Sequence, residues 1–102
     1  MTPEKVLQVV NVFRTYFKER EIPEKQLEGW MYGAYENFTK NPDSLLSHCH
    51  WMLNDMERFV QEGRMEKCFR WLGFIQGCVF SVGEFTLNEL KNLNRPNDET
   101  TV

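Results

Sequence analysis

Imidazole and thiolate are the usual ligands of zinc, and a cysteine beside a histidine is the smallest beginning of a nucleophilic site. The run His48-Cys49-His50 is therefore the first place to look for chemistry in this chain, and it holds both of the histidines. It lies in a stretch of helical periodicity, where residues two apart point about 200° away from each other. The two imidazoles cannot close on one ion from a regular helix. A zinc site would need Cys68 or Cys78 and a carboxylate to join them, and no spacing indicates that. Cys49 also falls on the expected buried stripe of its helix, where a thiol is normally inert. No pair of carboxylates faces a common site, and the glycines fall within or at the ends of helices rather than in a phosphate-binding loop. The expectation is no catalytic residue, no metal and no cofactor.

The polar side of the same helix is more informative. His48, Trp51, Asp55, Arg58 and Glu62 recur at spacings of three and four, and Trp51 sits about 120° from the centre of the apolar stripe. Large aromatics beside arginine are enriched at interface hot spots, and the same residue types stack on nucleobases. Arg64, Lys67 and Arg70 lie just beyond and carry charge suited to a phosphate, although Glu62 and Glu66 between them favour a self-paired, solvated face. His48, Trp51, Asp55, Arg58, Arg64 and Arg70 are the candidate binding residues. The alternative is that the segment with Trp30, Tyr32, Tyr35 and Phe38 folds over Trp51.

Helices must position these groups. Thr2 as N-cap, Pro3 in the first turn and Glu4 behind it open a helix whose stripe is Val6, Val10, Phe13 and Phe17, ending near Arg20 before Ile22-Pro23. Leu27, Trp30, Met31, Ala34 and Phe38 suggest a second helix over 24–39, weakened by Gly29 and Gly33. A stronger helix runs from Asp43 or Ser44 to Glu62, burying Leu45, Cys49, Met52, Leu53, Met56, Phe59 and Val60, with Gly63 as its left-handed stop.

The next helix follows at once, so the two form an antiparallel hairpin. It has Met65, Phe69, Leu72, Ile75 and Val79 on one face and Trp71, Phe74 and Cys78 on the other, and so demands cover on more than one side. Gly73 and Gly77, with Ser81, make a small-residue ridge that admits another backbone, either within the chain or from a second copy. Trp71, Gly73, Phe74, Gly77 and Cys78 are thus the expected close-packing or oligomer residues. Thr86 and Glu89 form a capping box, with Phe85 and Leu90 at the positions of a hydrophobic staple, for a short helix over Leu87–Leu93. Together these elements predict an all-α bundle of four or five helices, centred on the hairpin of about 44–62 and 64–83. A single domain spans 1–96, with a frayed tail over 97–102.

The 102 residues suffice for one modest core, and the 41% hydrophobic content is that of a folded domain. A net charge of -3 without a basic block argues against general nucleic-acid binding, which needs a basic surplus. The most apolar run, Trp71 to Val82, is about twelve residues, against about 20 for a membrane span. Three cysteines without paired spacing argue against a disulfide framework and for reduced thiols in a cytoplasmic protein, and Met1-Thr2-Pro3-Glu4-Lys5 does not read as a signal peptide.

Over about residues 45–96 the wording Leu46-Ser47-His48-Cys49-His50-Trp51-Met52-Leu53, Glu62-Gly63-Arg64-Met65-Glu66-Lys67, Arg70-Trp71-Leu72-Gly73-Phe74-Ile75-Gln76-Gly77, Glu89-Leu90-Lys91 and Asn94-Arg95-Pro96 resembles a group of small helical proteins carried by tailed bacteriophages. The group has no assigned activity, so the resemblance transfers no site residue. It implies a context in which small proteins act by stoichiometric binding to a host or anti-phage defence protein, or by sequestering a defence signalling nucleotide. The sequence therefore leads to a non-enzymatic binding protein of the host-cell cytoplasm, with self-association as a further expectation. A nucleotide sponge is the runner-up and an enzyme or metal protein built on His48 and Cys49 comes third.

Overall fold

The structure, a computed structural model, describes residues 1–27 and 42–96. Those residues form four α-helices and no strand: α1 (Pro3–Glu19), α2 (Pro42–Gln61), α3 (Met65–Ser81) and α4 (Leu87–Asn94). The expected tail over 97–102 and most of the expected 24–39 helix lie outside the described residues. Residues 24–27, where that helix was to start, are not helical. The Lys25 N–H donates to the Ser47 carbonyl at 3.2 Å and the Leu27 N–H to His48 Nδ1 at 3.0 Å, so this stretch spends its donors on α2.

α1 starts as its residues dictate. The Thr2 hydroxyl accepts from the Lys5 N–H at 3.1 Å, Pro3 fits a position whose N–H has no helical partner, and Glu4 meets the positive end of the helix. Val6, Val10, Phe13 and Phe17 are buried as their spacing predicts, and Val9 joins them.

Three helices end in one and the same way. After α1 the Ile22 N–H reaches the Phe17 carbonyl and the Glu21 N–H the Lys18 carbonyl. After α2 the corresponding bonds run from Arg64 to Phe59 and from Gly63 to Val60, and after α3 from Glu84 to Val79 and from Gly83 to Phe80. Each is a Schellman closure, which needs a left-handed residue at its corner. Gly63 (φ 73°) and Gly83 (φ 79°) supply it without cost, whereas Glu21 (φ 58°) supplies it with a β-carbon in place.

α2 is the middle of the bundle, with α1 packed on one side and α3 on the other. Contacts between Met56 and Cys68, and between His48 and Phe74, place α2 and α3 antiparallel. Within the described residues the glycine-laced α3 is covered on one side only, so the expected cover of its second side is not supplied by the first helix. The buried side of α3 is Cys68, Leu72, Ile75 and Val79, while Gly73, Phe74, Gly77 and Phe80 are exposed. Phe69, expected in the core, is 41% exposed, because the hairpin register turns Cys68 inward, where its thiol donates to the Met56 carbonyl. A β-carbon built on Gly73 or Gly77 would meet no described heavy atom within 4 Å, so the small-residue ridge is not used for close packing among the described residues.

α4 carries the expected capping box, with the Glu89 N–H on the Thr86 hydroxyl at 3.1 Å and the Thr86 N–H on the Glu89 carboxylate at 2.9 Å. Phe85 ahead of it lies edge-on to Phe13 and Tyr16, and Leu90 is buried. Gln76 and Asn94 then exchange a reciprocal pair of amide hydrogen bonds, 2.6 and 2.9 Å, that ties α4 to α3. No described helix is long and apolar enough to cross a membrane.

Candidate functional site

The two histidines do different structural work on opposite sides of α2. Both are buried, His48 at 5% and His50 at 3% exposure. His48 Nδ1 accepts from the Leu27 N–H, so the neutral ring carries its proton on Nε2; burial holds its ionisation below the ordinary histidine value, in keeping with that role. His50 Nδ1 lies 2.8 Å from the Ile22 carbonyl and must donate to it, which leaves Nε2 facing the Glu24 carboxylate at 3.4 Å. That contact lacks the alignment of a hydrogen bond. Glu24 accepts from the Asn54 amide at 3.0 Å, Asn54 in turn accepts from Arg14, and Arg14 pairs with Glu57. This polar chain fastens α1 and residues 22–27 to α2. Among the described residues no three His, Cys, Asp or Glu side chains gather where an ion could be held.

On the other side of α2, one turn separates His48 from Trp51, and the two rings stack at 5.5 Å with their planes 29° apart. Trp71 and Phe74, likewise three apart on α3, stand opposite. Phe74 points its edge at His48 from 6.4 Å and is 43% exposed. With Met52 and Gln26 these four rings line a cleft of about 300 Å³ whose walls are almost wholly apolar. Trp51 is half-buried: it packs against the core and forms one wall of a groove between helices.

The expected binding set divides here. His48 and Trp51 belong to the aromatic cleft. Asp55 and Arg58 pair with each other at 3.5 Å on the α2 surface. Arg64 and Arg70 line a separate hollow of about 290 Å³ at the hairpin turn, together with Lys67. Phe59 is almost fully buried, and its ring is roofed by Arg58, Arg64 and Lys67, whose charged ends stand 5.4, 5.2 and 4.7 Å from its centroid. The charged groups themselves lie over the ring, within cation–π range. Lys67 also stands 5.8 Å above the Trp71 ring, so the two areas meet at that tryptophan.

Sequence reasoning placed Trp71 and Phe74 on a packing face rather than in the cleft, and it missed Met52 as a wall and Gln26 entirely. Met52 was counted as core, and a residue just outside α2 gives no periodic signal. Trp30, Tyr32, Tyr35 and Phe38, expected over Trp51, lie outside the described residues. The arrangement can hold a flat or branched apolar group by stacking and contact, with a cation at one end. The chain matches no protein-family model, no curated protein and no solved structure.

Proposed function

We propose that this chain is a binding protein that acts by stoichiometric capture, with the aromatic cleft between α2 and α3 as its recognition surface. The observation that carries this reading is the cleft itself. An exposed phenylalanine and a stacked His48–Trp51 pair, facing Trp71, surround about 300 Å³ of apolar space, the size of one anchoring side chain or one ring system. Water gains little by filling such walls, and tryptophan-lined pockets dominate interface energetics. The occupant is an aromatic or aliphatic anchor of a host or anti-phage defence protein, the partner class that the phage resemblance suggests, met in the host-cell cytoplasm.

Phe74 is the residue to change, because its ring is largely outside the core. A tagged chain recovers a host protein in fixed ratio, and Phe74→Ala loses that protein while keeping its circular dichroism and melting temperature. Equal recovery by Phe74→Ala and by Trp51→Ala would remove the cleft from the binding reaction.

A nucleotide is the second reading, favoured by Lys67 over Trp71, which puts a cation beside a stacking surface. A nucleotide at a hundred times its dissociation constant stabilises the fold by about 2.7 kcal/mol, and a flat thermal-shift screen across mono-, di- and cyclic nucleotides removes this reading. Catalysis by His48 and Cys49 ranks below both, since Cys49 is fully buried and His48 Nδ1 is taken by the backbone. Self-association belongs to the same proposal, through the exposed Gly73–Gly77 ridge and its neighbours Phe69 and Phe80; light scattering on the purified chain reports it.

A further inference from the structure

Trp71 is shared by two surfaces of opposite character. Its ring is a wall of the apolar cleft, and the Lys67 ammonium stands 5.8 Å from the centroid of that ring, at the edge of the hollow formed with Arg64 and Arg70. Lys67, Arg70, Trp71 and Phe74 fall within about 100° of one another around α3, so the cations and the aromatic wall face the same way. The hollow holds three cations against one carboxylate, that of Glu66. Arg64 reaches Glu62 at 3.9 Å, whereas among the described residues neither Lys67 nor Arg70 makes an ion pair. Arg70 is exposed and Lys67 half-buried. We infer that the cleft and the basic hollow are one bipartite surface, and that its occupant is an acidic segment of another protein. That segment offers one bulky apolar side chain to the cleft and two or more carboxylates to Lys67 and Arg70. The inference rests on the cleft as the recognition surface and adds the charge of the partner.

Charge complementarity decides for this occupant. The chain as a whole carries a net charge of -3, but at physiological salt charges are screened beyond about 8 Å. A carboxylate at the hollow therefore feels its three cations and Glu66 rather than the acidic residues elsewhere. A second copy packed cleft to cleft would bring its own Lys67 and Arg70 into the same patch, setting like charges together. The spacing is also defined. Seven residues of helix at about 1.5 Å each separate Lys67 from Phe74 by about 10 Å along α3, and Arg70 lies about 6 Å from Phe74. An extended peptide rises about 3.3 Å per residue, so its carboxylates belong about two and three residues from the anchoring side chain.

The test starts without any assumed sequence. A library of random dodecapeptides is selected against the immobilised full chain, and the affinity of a selected peptide is measured by fluorescence anisotropy. The expected consensus is one aromatic or large aliphatic residue with two or more Asp or Glu within about three positions of it. Binding to the wild-type chain weakens as salt is raised, a measurement that needs no variant to fold. Arg70→Glu, at an exposed position without an intrachain ion pair, weakens the peptide about tenfold or more, since two attractions become repulsions. Phe74→Ala weakens it through the cleft. A consensus with an apolar anchor and no acidic residues, or binding that ignores both salt and Arg70→Glu, overturns the acidic partner while the cleft stands. Binding that ignores Phe74→Ala as well removes the cleft itself. A selection without consensus overturns the inference, and so does a dimer in light scattering that Phe74→Ala converts to a monomer, because a second copy then fills the cleft.

Discussion

Replacing Glu21 by glycine is expected to stabilise the protein, and the size of the gain follows from one dihedral angle. Glu21 closes α1 at φ 58°, in the left-handed region. A residue with a β-carbon pays about 1–2 kcal/mol there. Glycine escapes that cost but brings a more flexible unfolded chain, which takes back about 0.4–1 kcal/mol. The net is a stabilisation of about 0.5–1 kcal/mol, and for a domain of this size each kcal/mol moves the melting temperature by about 4–8 °C. Thermal unfolding followed by far-UV circular dichroism should therefore show Glu21→Gly melting about 2–8 °C higher. The mirror experiment uses Gly83→Ala, at φ 79°, where an added β-carbon meets no described atom within 4 Å, so that only the backbone term is left. It should melt lower by a similar amount. If Glu21→Gly melts lower than the parent, the left-handed corner is not the controlling term and the argument fails.

The remaining predictions use other parts of the fold. Phe13 is fully buried and edge-on to Phe85 at 5.5 Å; Phe13→Ala should cost about 3–5 kcal/mol in urea unfolding, a large part of the stability of a small domain. Asn94→Ala leaves the Gln76 amide without its partner and should cost about 1–2 kcal/mol, whereas the double change Gln76→Leu with Asn94→Leu should cost less than the sum of the two single changes. The buried, neutral His48 has an ionisation lowered by burial. Its contribution is thus complete above the ordinary histidine value of about 6.5 and is lost as the pH falls below it, because the unfolded chain then binds a proton that the folded chain refuses. His48→Gln should flatten the stability difference between pH 7.5 and pH 5.5, and an unchanged slope would contradict the assignment.

Much of the architecture is local and could be read before any coordinates. Thr2-Pro3-Glu4, Gly63 and the Thr86/Glu89 box each act within about one helical turn, and the stripe from Val6 to Phe17 repeats turn by turn along one helix, so each is legible where it stands. What failed to read is what depends on register between helices. In the first half of α3 the periodicity offers Phe69 to the core, with the apolar Cys68 right beside it, and only the hairpin decides for Cys68. The histidines read correctly as pointing apart. That both would be buried follows from α2 having neighbours on both sides, which no single-helix pattern reveals. The left-handed Glu21 carries no local mark at all, because the residue usual at such a corner is glycine.

The position of α2 between its neighbours also fixes how the molecule should breathe. Its inward amides sit under packing on both sides, so they should exchange with solvent hydrogen only through whole-domain opening. The exposed side of α3 around Gly73 and Gly77 has no such cover among the described residues, and its amides should exchange through smaller excursions. The cleft is built across that boundary, with His48 and Trp51 on the slow-exchanging helix and Phe74 on the faster one. One wall of the groove should then hold still while the other yields, so that the width of the groove varies while its His48–Trp51 wall stays in place.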